Sequence, residues 1–249
     1  MKMDYLLGIR YEGLGNRNQY PYNIPAVRYL DAIREMRFSK PVTFFIGENG
    51  TGKSTLLEAI AVAFGFNPEG GSRDFFFSTR DTHSELSDHI RIIRRSSPKD
   101  GFFLRAESFY NTASYLEENS TMIRYGGLSF HKQSHGESFL ALVENRFEGN
   151  GIYLLDEPEA ALSPQRLMSL LILIDNLVKK NSQFVIATHS PIVMAYPDSE
   201  ILQFSDHGIE TVAYKETEHY LITKQFIDRP EYMIKCLLGE EEDNNGFYR

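Results

Sequence analysis

The stretch Gly47-Glu48-Asn49-Gly50-Thr51-Gly52-Lys53-Ser54-Thr55 combines glycines with a lysine and several hydroxyls. The spacing of Gly47, Gly52, Lys53 and Ser54 is G-x-x-x-x-G-K-S. Glycines accept backbone angles that other residues resist, so the N–H groups from Asn49 to Thr55 can curl around an anion. Lys53 is then placed to reach the β- and γ-phosphates of a nucleotide, and the Ser54 hydroxyl to hold Mg²⁺. A second group is the acid pair Asp156-Glu157 at the end of the apolar run Ile152-Tyr153-Leu154-Leu155. Beside bound phosphates, Asp156 would stand behind Mg²⁺ through its water, and Glu157 would orient or deprotonate an attacking water. A third is His189, directly after Phe184-Val185-Ile186-Ala187-Thr188, which could bond the γ-phosphate. A fourth, Ser134-His135-Gly136-Glu137, opens an apolar-periodic segment. Taken alone it is a capping box with Ser134 as N-cap and Glu137 three residues on. Its fresh backbone N–H groups also make an anion site.

These groups need elements to hold them. An apolar run, Pro41 to Ile46, precedes the glycine loop, and an apolar-periodic helix continues to about Gly65. Residues 3–11 read as an opening strand, Glu12 to Pro25 as a loop, and Ala26 to Phe38 carries no clear period. Phe66 to Ser84 reads as a long loop with three phenylalanines, Phe75 to Phe77, assigned to the core. His89 to Arg95 and Gly101 to Ala106 read as an antiparallel hairpin across the Ser96 to Gly101 turn. Helices are expected over Ser108–Met122, Ser138–Phe147 and Ser163–Lys180, and buried strands over Ile152–Leu155 and Phe184–Ala187. Ile201–Phe204 and Thr211–Tyr214 flank Asp206-His207-Gly208 as a hairpin. The tail Glu218–Leu238 forms one or two helices broken at Pro230, followed by the solvated run Glu240–Asp243. Strands alternating with helices around the glycine loop predict an α/β core with a mainly parallel sheet and helices on both faces.

Composition narrows the classes. The chain has 249 residues, 42% of them apolar, and reads as a single domain over 1–249 without repeats or low-complexity linkers. No run approaches the roughly 18 apolar residues of a membrane span. The N-terminus lacks a secretory signature. The lone Cys236 cannot form an internal disulfide and reads as a small buried hydrophobe, which fits a cytoplasmic location. A net charge of −8 argues against broad nucleic-acid binding and leaves a local basic face open. Arg91, Arg94 and Arg95 read as solvated charge on a strand.

The four stretches, in this order and spacing, resemble the ATP-binding-cassette (ABC) ATPases. Gly47–Ser54 is similar to Walker A, Leu128–Glu137 to a variant signature motif, Ile152–Glu157 to Walker B, Ala161–Ser163 to the D-loop and His189 to the switch histidine. The Gly47–Thr55 loop and the Ala187-Thr188-His189-Ser190-Pro191 ending resemble soluble members of the class, relatives of AAA-type, SMC-type and recombination or overcoming-lysogenization-defect ATPases, rather than transporters. Gly-Phe-Phe-Leu-Arg-Ala-Glu-Ser-Phe-Tyr, Ser-His-Gly-Glu-Ser-Phe and Glu-His-Tyr-Leu-Ile-Thr together resemble small, stand-alone bacterial ATPases of this kind.

The resemblance implies an ABC head fold with an antiparallel β subdomain, and ATP and Mg²⁺ as ligands. It implies a head-to-tail, ATP-dependent homodimer in which Lys53, Ser54, Asp156, Glu157 and His189 of one subunit face Ser134 and Gly136 of the other. Hydrolysis would drive a conformational switch, in DNA maintenance or phage defence, with a separate effector as partner. Departures are visible. His135 replaces the first signature glycine and Glu137 the glutamine, an acid that needs compensation near a γ-phosphate. No Q-loop glutamine is evident, and Glu107, after the strand Gly101–Ala106, is the candidate for that metal-side position. Tyr11 and Tyr29 are candidates to stack on adenine. The segment from Glu107 to Ser134 leaves no room for the long coiled coil of SMC-type relatives. Two other readings stay open: an ATP-gated binding module with negligible turnover, and a P-loop kinase with a small acceptor.

Overall fold

A computed structural model of the chain describes residues 5–13, 18–72, 84–107, 109 and 135–239. In chain order the strands and helices are β1 (Gly8–Tyr11), α1 (Pro25–Ile33), β2 (Glu35–Arg37), β3 (Val42–Gly47), α2 (Lys53–Ala63), β4 (Ile90–Ile93), β5 (Asp100–Arg105), α3 (His135–Arg146), β6 (Gly151–Asp156), α4 (Pro164–Lys179), β7 (Gln183–Ala187), α5 (Pro191–Met194), β8 (Glu200–Ser205), β9 (Gly208–Thr211), α6 (Glu218–Asp228) and α7 (Pro230–Leu238).

Six strands form one sheet in the order β5-β6-β7-β3-β8-β9. All neighbours are parallel except β9, which returns antiparallel to β8. β3, β6 and β7 are buried at every position, because strands covered on both faces must be apolar throughout. Successive side chains point to opposite faces. Phe45, Leu154, Val185 and Phe204 therefore pack with α1 and α2, whereas Phe44, Leu155 and Ile186 pack with α3, α4 and α5. A second, three-stranded antiparallel sheet, β2-β1-β4, adds Ile9, Met36 and Ile90 to the first of these layers. The fold is the α/β P-loop architecture with an antiparallel subdomain that the motifs imply.

One expected pairing does not form. β4 joins β1 in the small sheet, and β5 runs parallel to β6 in the large one, so the two are not a hairpin. The reason is burial. Phe102, Phe103 and Leu104 are all buried, Phe103 in one layer and the other two in the opposite layer. A hairpin with one wet face cannot cover such a run on both sides. β4 does have a wet face, where Arg91 pairs with Glu12 at 3.2 Å. The opening strand is shorter than expected, Gly8–Tyr11, and the helix expected from Ser138 already begins at His135. The β8–β9 hairpin forms with its second strand at Gly208–Thr211, before the expected position. The unassigned stretch resolves into α1 and β2. Pro230 opens α7, as the break in the tail predicts. Cys236 corrects the reading of a buried hydrophobe: it is exposed, because α7 buries none of its residues. The helix expected over 108–122 (Phe109 apart), Phe75 to Phe77, residues 128–134 and Glu240–Asp243 lie outside the described residues.

A half-buried carboxylate, Asp100, links β5 to β6. Asp100 accepts from the Tyr153 hydroxyl at 2.6 Å, Arg146 Nη1 at 2.7 Å and the Glu148 N–H at 2.9 Å. It thereby joins the end of α3 and the approach to β6 to the start of β5. Burial alone would raise its pKa, but these donors outweigh it and hold Asp100 below its ordinary value. A depressed native pKa contributes stability above the unfolded pKa, and that contribution is lost as pH falls through the native value. Asp100→Asn should therefore cost about 2 kcal/mol at pH 7, with the difference from wild type shrinking below about pH 4. Urea unfolding at pH 7 and in the acid range tests this; a pH-independent difference contradicts it.

Candidate functional site

The parallel sheet brings chemistry to one row. Arg105, Asp156 and Ala187 are register neighbours at the ends of β5, β6 and β7, and Ala187 pairs in turn with Phe45 of β3. Strand ends in such sheets are where ligands bind. β3 runs straight into the glycine loop, and α2 begins at Lys53. Gly47 has φ 128°, and a Cβ there would lie 2.1 Å from the Phe204 carbonyl oxygen. Gly52 has φ 102° and is pressed by Ile24 and Ala26, which leave no room for a side chain. The Ala26 N–H donates to the Thr51 carbonyl at 3.1 Å, so the start of α1 braces the loop. Thr51 is tied by its hydroxyl to the Glu48 carbonyl at 2.8 Å. Asn49 and Gly50 form the exposed tip, and Thr55 is half-buried in the first turn of α2.

Lys53 is buried, and its ammonium donates to the carbonyls of Gly47 at 2.7 Å and Glu48 at 2.8 Å. Burial lowers its pKa from the ordinary lysine value, against the pull of Glu157, Asp156, Glu159 and Glu48. The Ser54 hydroxyl donates to Asp156 Oδ1 at 2.9 Å. Burial pushes the Asp156 carboxyl up to about 6, opposed by Arg105 and the Ser54 bond. Arg105 reaches Asp156 Oδ2 at 3.5 Å and Glu58 at 2.7 Å. Ser54 and Asp156 thus offer an oxygen-only donor pair in a site with excess negative charge, a set that suits Mg²⁺. Glu157 stands at the end of β6 in the left-handed region, φ 50° and ψ 52°. A non-glycine residue there costs on the order of 1–3 kcal/mol. The Glu157 N–H is held by the Ala187 carbonyl at 2.9 Å, which supports this geometry.

His189 Nε2 lies 3.8 Å from Glu157 Oε1, so the acid pair and the imidazole meet. The turn carrying His189 is fixed by Glu159. Its Oε1 accepts the His189 N–H at 2.5 Å and its Oε2 the Thr188 hydroxyl at 2.8 Å. Burial raises the Glu159 pKa despite these donors. Burial, then the nearby Lys53 charge, lowers the His189 pKa, with Glu157 opposing. His189 Nδ1 is 3.0 Å from His219 Nε2, at the start of α6.

The remaining candidates separate. Ser134 lies outside the described residues. Gly136 is in the first turn of α3, against Arg166 and the Ala161 carbonyl, where a Cβ would lie 2.7 and 2.9 Å from them. Glu137 has its compensation in this chain, an ion pair with Arg166 at 2.9 Å. Glu107 follows β5 but faces solvent, 3.9 Å from Arg105. Tyr11 is buried, while Tyr29 packs against Gly208 of the β8–β9 hairpin.

Glu159, Arg105 and His219 did not stand out in the sequence. Glu159 had a signal, an acid two residues after Glu157 on the same turn. Arg105 had none while its strand was read as a hairpin arm.

Residues 26–136 match a family model described as an AAA domain. Residues 128–195 match one described as "AAA domain, putative AbiEii toxin, Type IV TA system". The xylose/arabinose import ATP-binding protein XylG of Sulfolobus acidocaldarius is 28% identical over 217 residues, covering 78% of this chain and 84% of that protein. The ribose import ATP-binding protein RbsA of Rhodopirellula baltica is 24% identical over 245 residues, covering 89% of this chain. The chain spans only 47% of that RbsA and 39% of a relative from Mycoplasma pneumoniae. In motif order, sheet order and these matches the chain is similar to the ATP-binding proteins of ABC type, whose α/β P-loop fold it shares. A solved structure of cbiO1 from Clostridium perfringens, part of the ABC transporter complex cbiONQ, is 19% identical with a TM-score of 0.49, covering 95% of this chain and 100% of that one.

Because Glu159 carries the His189 turn, Glu159→Ala should destabilise the fold by about 2 kcal/mol by stranding its two donors. Glu159→Gln, which keeps an acceptor, should cost less. Thermal unfolding of both variants ranks them, and equal losses would contradict the assignment.

Proposed function

We propose that the chain binds Mg-ATP, closes head to tail on a second copy around it, and hydrolyses it to drive a conformational switch. The observation that carries this reading is the convergence of Lys53, Ser54, Asp156, Glu157 and His189 at the ends of three neighbouring strands. Lys53 would leave its loop carbonyls for the β- and γ-phosphates of ATP. Mg²⁺ held by Ser54 and Asp156 would supply charge neutralisation on the phosphates. Glu157 would orient a water and take its proton as the water oxygen attacks the γ-phosphorus, and the bond to ADP would break. His189 Nε2 would donate to the γ-phosphate. Ser134 and Gly136, at the start of α3, would face the partner's nucleotide, and Glu107 would complete the metal side. The chain would act as one domain.

The setting proposed is cytoplasmic, in DNA maintenance or phage defence beside a partner. Two observations support a partner. The model matched over residues 128–195 is described with a toxin–antitoxin system. Leu221, Ile227, Tyr232, Leu237 and Leu238 of α6 and α7 are exposed. The relatives XylG and RbsA are sugar-import ATP-binding proteins, and no described helix of this chain is long and apolar enough to cross a membrane. Nucleic acid stays open as a partner. The Glu137–Arg166 pair, which engages the signature acid within the chain, favours as second reading an ATP-gated module with negligible turnover.

Glu157→Gln should bind ATP as wild type does and lose at least about 100-fold in turnover. By light scattering it should be monomeric alone and dimeric with Mg-ATP. Lys53→Ala should lose both binding and dimerisation. A Glu157→Gln protein that binds ATP without changing size would overturn the head-to-tail mechanism, and a wild type without turnover would bring the gated module forward.

A further inference from the structure

His219 is bound to the machinery from outside the motifs. It sits in the first turn of α6, which is fixed by the buried Thr217: the Thr217 hydroxyl donates to the Tyr214 carbonyl at 2.8 Å and accepts the Tyr220 N–H at 3.3 Å. His219 Nε2 meets His189 Nδ1 at 3.0 Å, with the rings 5.2 Å apart and inclined at 50°. Together with Glu48, Asn49 and Glu218, the two histidines line a cleft of about 540 Å³ beside the tip of the glycine loop. The opposite nitrogen of His219, Nδ1, is buried and has no hydrogen-bond partner among the described residues.

These contacts decide where the protons sit. Burial holds both imidazoles below the ordinary histidine pKa, so each is neutral near pH 7 and carries one N–H. The 3.0 Å contact needs one donor and one acceptor, which leaves two arrangements. In the first, His219 Nε2–H donates to His189 Nδ1, and the His189 proton lies on Nε2. In the second, His189 Nδ1–H donates to His219 Nε2. The lone pair of His189 Nε2 then faces the Glu157 carboxylate at 3.8 Å, and His219 carries its proton on the buried, unpartnered Nδ1. His219 Nδ1 is unpartnered in both, as an acceptor in the first and as a donor in the second, and only the second also sets a lone pair against a carboxylate. The first aims the His189 N–H at Glu157 and at the space beside Lys53.

We infer that His219 is a positioning residue for His189: by donating to Nδ1 it holds the switch imidazole in the tautomer whose Nε2–H can bond a phosphate oxygen. The kinetic part of this inference rests on the proposed ATP hydrolysis; the tautomer part does not. Thr217 and His219 make the start of α6 part of the nucleotide site, and the ring contact links the exposed pair α6–α7 to the state of His189.

The test uses the full chain, labelled with ¹⁵N-histidine, without nucleotide. In wild type, His189 should show a protonated Nε2 and a bare Nδ1, assigned by comparison with His189→Gln. His219→Leu should turn this into a mixture of tautomers. His219→Gln, whose amide N–H can stand in for Nε2–H, should restore the wild-type pattern. In steady-state ATP hydrolysis, His219→Leu should lower kcat about tenfold to a hundredfold with KM for ATP near wild type, and His219→Gln should recover most of it. An unchanged His189 tautomer in His219→Leu overturns the inference, as does a loss confined to KM or a loss that His219→Gln fails to relieve. A wild-type chain that turns over no ATP would count against the hydrolase reading, and the spectra would still judge His219.

Discussion

A buried ammonium is the constraint on which this site is built. Lys53 has lost water and is held by two loop carbonyls, within the field of Asp156, Glu157, Glu159 and Glu48. A cation in such a place needs charge around it. Three of the acids arrive from the end of β6 and the turn beyond it, and Glu48 and the two carbonyls from the end of β3 and the loop after it. The strand order β6-β7-β3 therefore does electrostatic as well as hydrophobic work. Because the acids outnumber Lys53 and Asp156 is desolvated, the arrangement favours an added cation. The Ser54 hydroxyl on Asp156 shows the oxygen donors already facing one another.

The second feature is how rigidly the turn after β7 is made. Glu159 uses both carboxylate oxygens to hold Thr188 and His189, and Glu157 accepts a left-handed backbone so that its side chain emerges beside them. Strain at a residue in chemical contact with its neighbours is tolerated where surrounding bonds over-determine it. Here the bond from the Glu157 N–H to the Ala187 carbonyl does so. The acid, the imidazole and the ammonium are thus set by backbone contacts between adjacent strands rather than by mobile side chains alone. His219 extends this from the sheet to the helices beyond β9.

Those helices differ from the rest of the chain. The layers on the large sheet are packed to full burial, yet α6 and α7 bury no residue. Apolar side chains on this pair stay in water, and their removal from it would favour association. Attachment of the pair through Thr217 and His219 places this surface next to His189 and the glycine loop rather than at a remote end.

The glycine loop, the Asp156-Glu157 pair and His189 could all be read from the chain, because each follows an apolar run and such runs become buried parallel strands whose ends share a row. Composition and periodicity likewise determined β3, α2, β6, α4, β7 and the break at Pro230, since local apolar patterns and proline chemistry act over a few residues. What the sequence could not decide was pairing. β4 and β5 look like hairpin arms, and only the need to cover Phe102, Phe103 and Leu104 on both faces sends β5 to the large sheet, where Arg105 meets Asp156. Cys236 was misread for the complementary reason: a local apolar pattern says that a face wants cover, not that any element provides it. His219 belongs with these, since thirty residues separate it from His189 and only the path of the chain through β8 and β9 brings the two rings together.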